Sequence, residues 1–152
     1  MFLLDTNVLS ELRRRERTHP RVAGWIGSVD ESELYLSAIT ILEIELGTLA
    51  LERTDPTQGR LLRAWIQQKV LPSFAGRILA IDSAVAQCCA RLHVPDPRPD
   101  RDAMIAATAI VHQMTVATRN NVDFEPMPVA LFNPWTWQTP LETDAARAGK
   151  RR

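Results

Sequence analysis

The sequence predicts an α/β domain, a three-layer α/β/α sandwich built on a central, mainly parallel sheet. Short apolar runs of strand length alternate with segments whose apolar residues recur at helical spacing. Polar residues suited to capping a helix follow the first and third runs, at Asp5 and Asp82. The chain has 152 residues, 45% of them hydrophobic, enough for one core that buries roughly two-thirds of the unfolded surface.

Met1 to Leu4 is the first strand; Asp5-Thr6-Asn7 ends it, and Val8, Leu9 and Leu12 mark the first helix. His19-Pro20 starts a second helix carrying Val22, Trp25 and Ile26, since proline at the first helical position loses no intrahelical bond. Leu34 to Leu36 reads as a strand running into a helix with Ile39, Leu42, Leu46 and Leu49. Asp55-Pro56 opens a helix through about Val70, ended by Leu71-Pro72. Ile78 to Ile81 is the third strand, and Asp82 caps the helix after it. Pro95, Pro97 and Pro99 then break the chain before Asp100 caps a helix from Arg101 to Gln113. Val116 to Thr118 and Val129 to Phe132 are two further strands. This alternation implies parallel strands joined by right-handed crossovers over residues 1–137, whereas residues 138–152 are polar, lack a hydrophobic period and read as a loosely ordered tail.

Composition excludes several classes. Eighteen basic residues balance 18 acidic ones, so the chain is not uniformly positive, although 16 of the 18 are Arg. No apolar run approaches the roughly 18–20 residues of a membrane span, and Asp5 interrupts the opening before a signal-peptide core forms. Cys88 and Cys89 are adjacent, read as two small buried hydrophobes rather than a staple, and fit a reducing, cytoplasmic compartment. His19, His93 and His112 are scattered, and neither zinc spacing, a nucleophile elbow nor a phosphate loop is present.

In an open parallel sheet, ligands bind at the carboxyl ends of the strands. Asp5 follows the first strand and is either a reactive carboxylate or the cap of the next helix. Glu43 lies in an almost wholly apolar helix, with Glu45 as the neighbouring alternative. Asp102 opens another helix on its packing face, beside Asp100, and also suits the helix dipole. Asp123 falls just past the fourth strand, where an Asx turn is the simpler role. Carboxylates converging on one sheet edge without a compensating lysine repel one another unless a divalent cation binds. All-oxygen ligation suits Mg²⁺ or Mn²⁺, which points to phosphodiester hydrolysis.

The segments around these acids, Leu-Leu-Asp5-Thr-Asn-Val-Leu-Ser-Glu-Leu, Ile-Thr-Ile-Leu-Glu43-Ile-Glu-Leu-Gly, Asp102-Ala-Met-Ile-Ala-Ala-Thr-Ala and Val-Ala-Thr118-Arg-Asn120-Asn-Val-Asp123-Phe, resemble in order and spacing the motifs of the PIN-domain superfamily, and specifically of VapC-type toxin ribonucleases. The resemblance runs to about Trp135, making residues 1–137 a PIN-like nuclease domain. It implies a Mg²⁺- or Mn²⁺-dependent endoribonuclease acting on RNA. Such toxins are often dimeric and are held inactive in a hetero-oligomer by a VapB-type antitoxin whose tail enters the acidic groove. By position, Asp5, Glu43 and Asp102 match the first three acids, while Asn120 and Asp123 share the fourth motif and leave the fourth metal-facing group open.

The resemblance also implies roles: Asp5 and Asp102 on the ion, Glu43 orienting water or acting as base, Asp123 or Asn120 on the far side, and hydroxyl contacts from Thr6 and Thr118. RNA phosphates need cations around an acidic centre, and Arg13, Arg14, Arg15, Arg17 and Arg119 are the candidates. Glu11 and Glu16 dilute that cluster, so a solvated helix end is its competing role. Two other functions compete: a PIN-like RNA- or partner-binding module with little turnover, and a haloacid-dehalogenase-like phosphatase. The second would need an Asp where Asn7 stands and a lysine near the phosphate, and the chain has only Lys69 and Lys150.

Overall fold

The computed structural model describes residues 1–150. The elements follow in the order β1 (Phe2–Leu4), α1 (Thr6–Leu12), α2 (Pro20–Ser28), β2 (Leu34–Ser37), α3 (Ala38–Thr54), α4 (Pro56–Trp65) and α5 (Leu71–Ser73). They continue with β3 (Ile78–Leu79), α6 (Ser83–Leu92), α7 (Asp100–Val111), β4 (Thr115–Ala117), α8 (Asn121–Phe124), β5 (Leu131–Phe132) and α9 (Pro140–Gly149). Every strand pair is parallel, in the order β3-β2-β1-β4-β5. The predicted sandwich is present, with β1, β3 and β5 shorter than expected, β2 extended to Ser37 and β4 shifted one residue towards the N-terminus.

Side chains alternate across the pleat and divide the core in two. Leu3 and Val116 pack with Val85 and Cys88 of α6 and Ile105 and Ala106 of α7. Leu4 and Ala117 pack on the other face with Val8 and Leu9 of α1, Trp25 of α2 and Ile44 of α3. The chain runs outward through β1, β2 and β3, then returns to place β4 on the free side of β1. The carboxyl ends of β1 and β4 therefore flank the topological switch point, where open α/β sheets bind their ligands.

Three local expectations are corrected. Helical structure continues past Leu71-Pro72 to Ser73, because Ile66–Val70 form a π turn in which the Leu71 N–H donates to the Ile66 carbonyl. The wider turn admits the proline ring and keeps Ile66, Val70 and Phe74 in the core. Asp100 does not cap its helix: α7 starts at Asp100 itself, and Pro99 in the cap position has no side chain to accept a bond. The tail contains α9, started by a capping box in which Thr139 and Glu142 satisfy each other's backbone N–H groups. Local capping, together with the Arg21 guanidinium bound to the Trp137 carbonyl at 2.6 Å, orders a segment without an apolar stripe. Positions 151 and 152 of that tail lie outside the described residues.

The α3–α4 hairpin is tight at Gly59, where an added Cβ would stand 2.6 Å from the Glu52 Cα and 2.8 Å from its backbone nitrogen. Backbone cannot swing aside. Gly59→Ala is expected to lower stability by about 1–3 kcal/mol despite the better helix propensity of alanine. Gly27→Ala, where a Cβ meets nothing within 4 Å, should be neutral or stabilising by up to about 1 kcal/mol. Urea melts of the two variants check this; equal stabilisation of both would show that the hairpin opens to accept the methyl group.

Candidate active site

Asp5 leaves β1 in extended conformation and occupies the cap position of α1. Its Oδ1 accepts the Thr6 N–H at 2.8 Å, and its Oδ2 accepts the Thr118 hydroxyl at 2.7 Å and the Asn7 amide at 3.3 Å. The cap and the site carboxylate are thus one group, with one oxygen serving each end. Asp5 is only 5% exposed. Burial pushes its pKa up, the Thr118 and Thr6 bonds pull against that, and Glu43 adds repulsion.

The Glu43 and Glu45 alternatives separate clearly. Glu43 on α3 accepts the Thr6 hydroxyl at 2.9 Å and stands 4.0 Å from the Arg101 guanidinium. Glu45 takes both of its bonds from Arg63, at 2.7 and 2.6 Å, and Glu52 takes a third. Glu45 therefore belongs to the brace between α3 and α4.

Asp102, in the first turn of α7, has its pKa raised to about 6, first by desolvation and then by the charges of Asp5, Asp123 and Glu43. The fold thus brings the four acids singled out from the sequence within electrostatic reach of one another. Asn120 and Asp123, the two candidates for the fourth group, are joined: the Asn120 amide donates to Asp123 at 2.8 Å. Thr118 is fully buried. Its hydroxyl donates to Asp5 and accepts the Asn120 N–H at 2.9 Å and the Asn7 amide at 3.3 Å, using its whole hydrogen-bonding capacity inside the site.

The cations are distributed unevenly. Arg13 lines a recess with Thr6 and Glu43, and also a cavity of about 370 Å³ with Ser10, Arg14 and Arg17. Arg14 is spent on both oxygens of Glu11, at 3.3 and 3.2 Å. Arg119 lies over the Trp135 ring, 5.1 Å from its centroid, and its backbone N–H donates to Asn7 at 3.3 Å. Sequence reasoning missed Asn7 and Arg101 in the site, and named Glu11 only as a charge that dilutes the arginine cluster. Glu11 is buried and accepts the His19 N–H at 2.8 Å; burial opposes its charge, but that bond and Arg14 outweigh it and hold its pKa low. Asn7 ties Asp5, Thr118 and Arg119 together, and its signal was its place in the Asp-Thr-Asn run. Arg101 was legible only as the neighbour of Asp102.

As a donor set this is hard oxygen, carrying like charges that no bound cation of the chain neutralises fully, which suits Mg²⁺ or Mn²⁺. Among the described residues no three acidic, histidine or thiol groups form a ready-made ligand shell.

An all-parallel sheet with acids gathered at its switch point defines the class as an α/β domain with an acidic centre. The chain belongs to the PIN-domain family, whose pattern matches residues 2–128. It is 41% identical over 140 residues to Toxin FitB of Neisseria gonorrhoeae, covering 89% of this chain and 99% of that protein. It is 37% identical over 143 residues to VapC ribonuclease Y4jK of Sinorhizobium fredii, covering 89% and 98%. The crystal structure of FitAcB from Neisseria gonorrhoeae superposes with a TM-score of 0.81 at 40% identity, over 90% of this chain and 99% of that one. A structure of FitAB bound to a DNA fragment matches with the same TM-score over 92% of this chain.

The raised pKa of Asp102 fixes a pH dependence. Its folded pKa, about 6, exceeds the ordinary value of 3.8, so the folded state holds the proton more tightly. The acid is neutral in both states below about pH 4; the folded state loses stability as pH rises from about 4 through 6, and the full penalty persists above. Asp102→Asn should therefore match wild type near pH 4 and melt higher at pH 7.5, both in chelator. A constant difference across that range would show that the other acids do not press on Asp102.

Proposed function

We propose that this chain is a divalent-metal-dependent endoribonuclease, the toxin of a VapBC-type toxin–antitoxin pair. The observation that carries the reading is the uncompensated cluster at the β1–β4 edge, where Asp102 feels Asp5, Asp123 and Glu43 at once. The similarity to a toxin and to a VapC ribonuclease over nearly their whole lengths supports it. Asp5, Asp102, Glu43 and Asp123 would hold Mg²⁺ or Mn²⁺, which when bound acidifies water and offsets negative charge on a phosphoryl group.

In this reading Asp5, held in place by Thr6, Thr118 and Asn7, would be a ligand to the ion, and Thr6 holds Glu43 where it would accept a proton from the attacking water. Asn120 turns Asp123 toward the centre. Thr6, Thr118 and Asn120 act as positioning residues, while Arg13 and Arg119 steer RNA phosphates toward a pocket that otherwise repels them. Arg14, committed to Glu11, contributes less. The partner is a VapB-type antitoxin, in a homodimeric or hetero-oligomeric assembly, and the compartment is the cytoplasm; no helix among the described residues is long and apolar enough to cross a membrane. Residues 1–137 would carry the nuclease, with 138–152 as an appendage.

Asp5→Asn and Asp102→Asn are each expected to reduce Mg²⁺- or Mn²⁺-dependent cleavage of single-stranded RNA by about a hundredfold or more, the rate equivalent of several kcal/mol of transition-state stabilisation. Melting curves establish that the variants fold. Cleavage by both at wild-type rate would remove the acids from the chemistry and with them the nuclease reading.

A further inference from the structure

We propose that a small apolar recess beside Glu43 is a nucleobase subsite, with Trp65 as the platform on which one base of single-stranded RNA stacks next to the bond being cut. This rests on the ribonuclease reading and adds to it a recognition site that the acids do not provide.

The recess has a volume of about 200 Å³ and lies between α1, α3 and α4. Apolar Ile44, Leu62 and Trp65 line it together with Thr6, Glu43 and Arg13. It is smaller than the roughly 300 Å³ at which pockets for drug-sized ligands begin, so it suits one planar ring system. Single-stranded RNA offers unstacked bases, and proteins that bind it take them up on aromatic side chains.

Its neighbours fit the rest of a nucleotide. Ser10 and Arg13 are shared with the cavity that Arg14 and Arg17 line, and Thr6 and Glu43 are shared with the acidic centre. Cations, an aromatic wall and the reactive acids thus succeed one another along a single surface. A nucleotide's phosphates and base are joined within a few ångströms and need those environments side by side.

Gly47 offers a position from which the recess can be filled. It lies one helical turn beyond Glu43 in α3 and lines the recess, and a Cβ added there would meet nothing within 4 Å. Glycine inside a helix is destabilising relative to alanine. Like Gly27 and unlike Gly59, this glycine is in no close packing, so a side chain added here has room beside the recess that Gly47 lines. The π turn starting immediately after Trp65 takes Ile66 and Val70 into the core and leaves Trp65 half-buried, packed in part against that core and lining the recess. Such turns are frequent at functional sites.

Gly47→Leu fills the recess from an exposed position and should leave the melting temperature unchanged or raised. In an Asp5→Asn background, binding of a fluorescein-labelled, mixed-sequence single-stranded RNA 12-mer is expected to weaken between about fivefold and a hundredfold, the loss of one stacked base. The salt slope should stay the same, whereas Arg13→Ala reduces it by about 0.7. With Asp5 intact, Gly47→Leu should raise KM more than it lowers kcat, and Trp65→Phe should fall between wild type and Gly47→Leu. RNA affinity of Gly47→Leu within twofold of its parent, at an intact melting temperature, overturns the subsite even while cleavage still requires Asp102. Weakened binding of an antitoxin tail peptide with unaltered RNA binding overturns it in favour of a protein contact. If wild type neither binds nor cleaves RNA in Mg²⁺ or Mn²⁺, the ribonuclease reading fails and the subsite falls with it.

Discussion

The buried bond from the Thr118 hydroxyl to Asp5, at 2.7 Å, joins the ends of β1 and β4 across the switch point. It depends on register: Leu4 faces Ala117, and the Asp5 N–H continues the ladder by donating to the Ala117 carbonyl at 2.9 Å. A slip of one residue would send Leu4 and Ala117 to the wrong face of the sheet and swing both polar groups out of the crevice. The same Asp5 starts α1 through Thr6, and Thr6 in turn reaches Glu43 on α3. One carboxylate thus links a strand end, a helix start and the acid of the neighbouring layer.

Carboxylates elsewhere in the chain show what the site withholds. Glu45 and Glu52 share Arg63, and Glu11 holds Arg14 and a backbone N–H, so these acids are satisfied where they stand. At the β1–β4 edge the nearest cation is Arg101, half exposed and 4.0 Å from Glu43. That contact is too long and too solvated to cancel the charge pressing on Asp102. The fold keeps this tension by surrounding the acids with the donors needed to orient them while leaving their net charge in place. In the proposed reading a divalent cation relieves it.

Much of this was legible because strand ends and helix starts announce themselves locally. The Asp5 position followed from an apolar run meeting a polar one, and Asp102 and Asp123 from their places after breaks in the pattern. Glu43 against Glu45 was not, since both sit in a helix that is apolar nearly all round, and only the Thr6 hydroxyl and the Arg63 brace distinguish them. Asn120 and Asp123 looked like competitors because one dimension cannot show that they bond to each other. The cluster at Arg13, Arg14 and Arg17 hid a similar division, because Glu11, three residues before Arg14, is buried and claims it. Pro72 misled in the opposite direction: proline normally ends a helix, and the π turn that accommodates it is a tertiary consequence of burying Ile66 and Val70 together.

The two glycines of the α3–α4 hairpin make the same distinction between structure and function that the acids make. Gly59 is required by backbone packed against it, and Gly47 by nothing in the fold. Asp102 carries an unrelieved charge and Gly47 lines an open recess, and both border the surface that begins at Arg13 and ends at the switch point. In the proposed reading a substrate is drawn in, seated and cut along that one stretch of surface, where the acids are oriented by their neighbours but not neutralised by them.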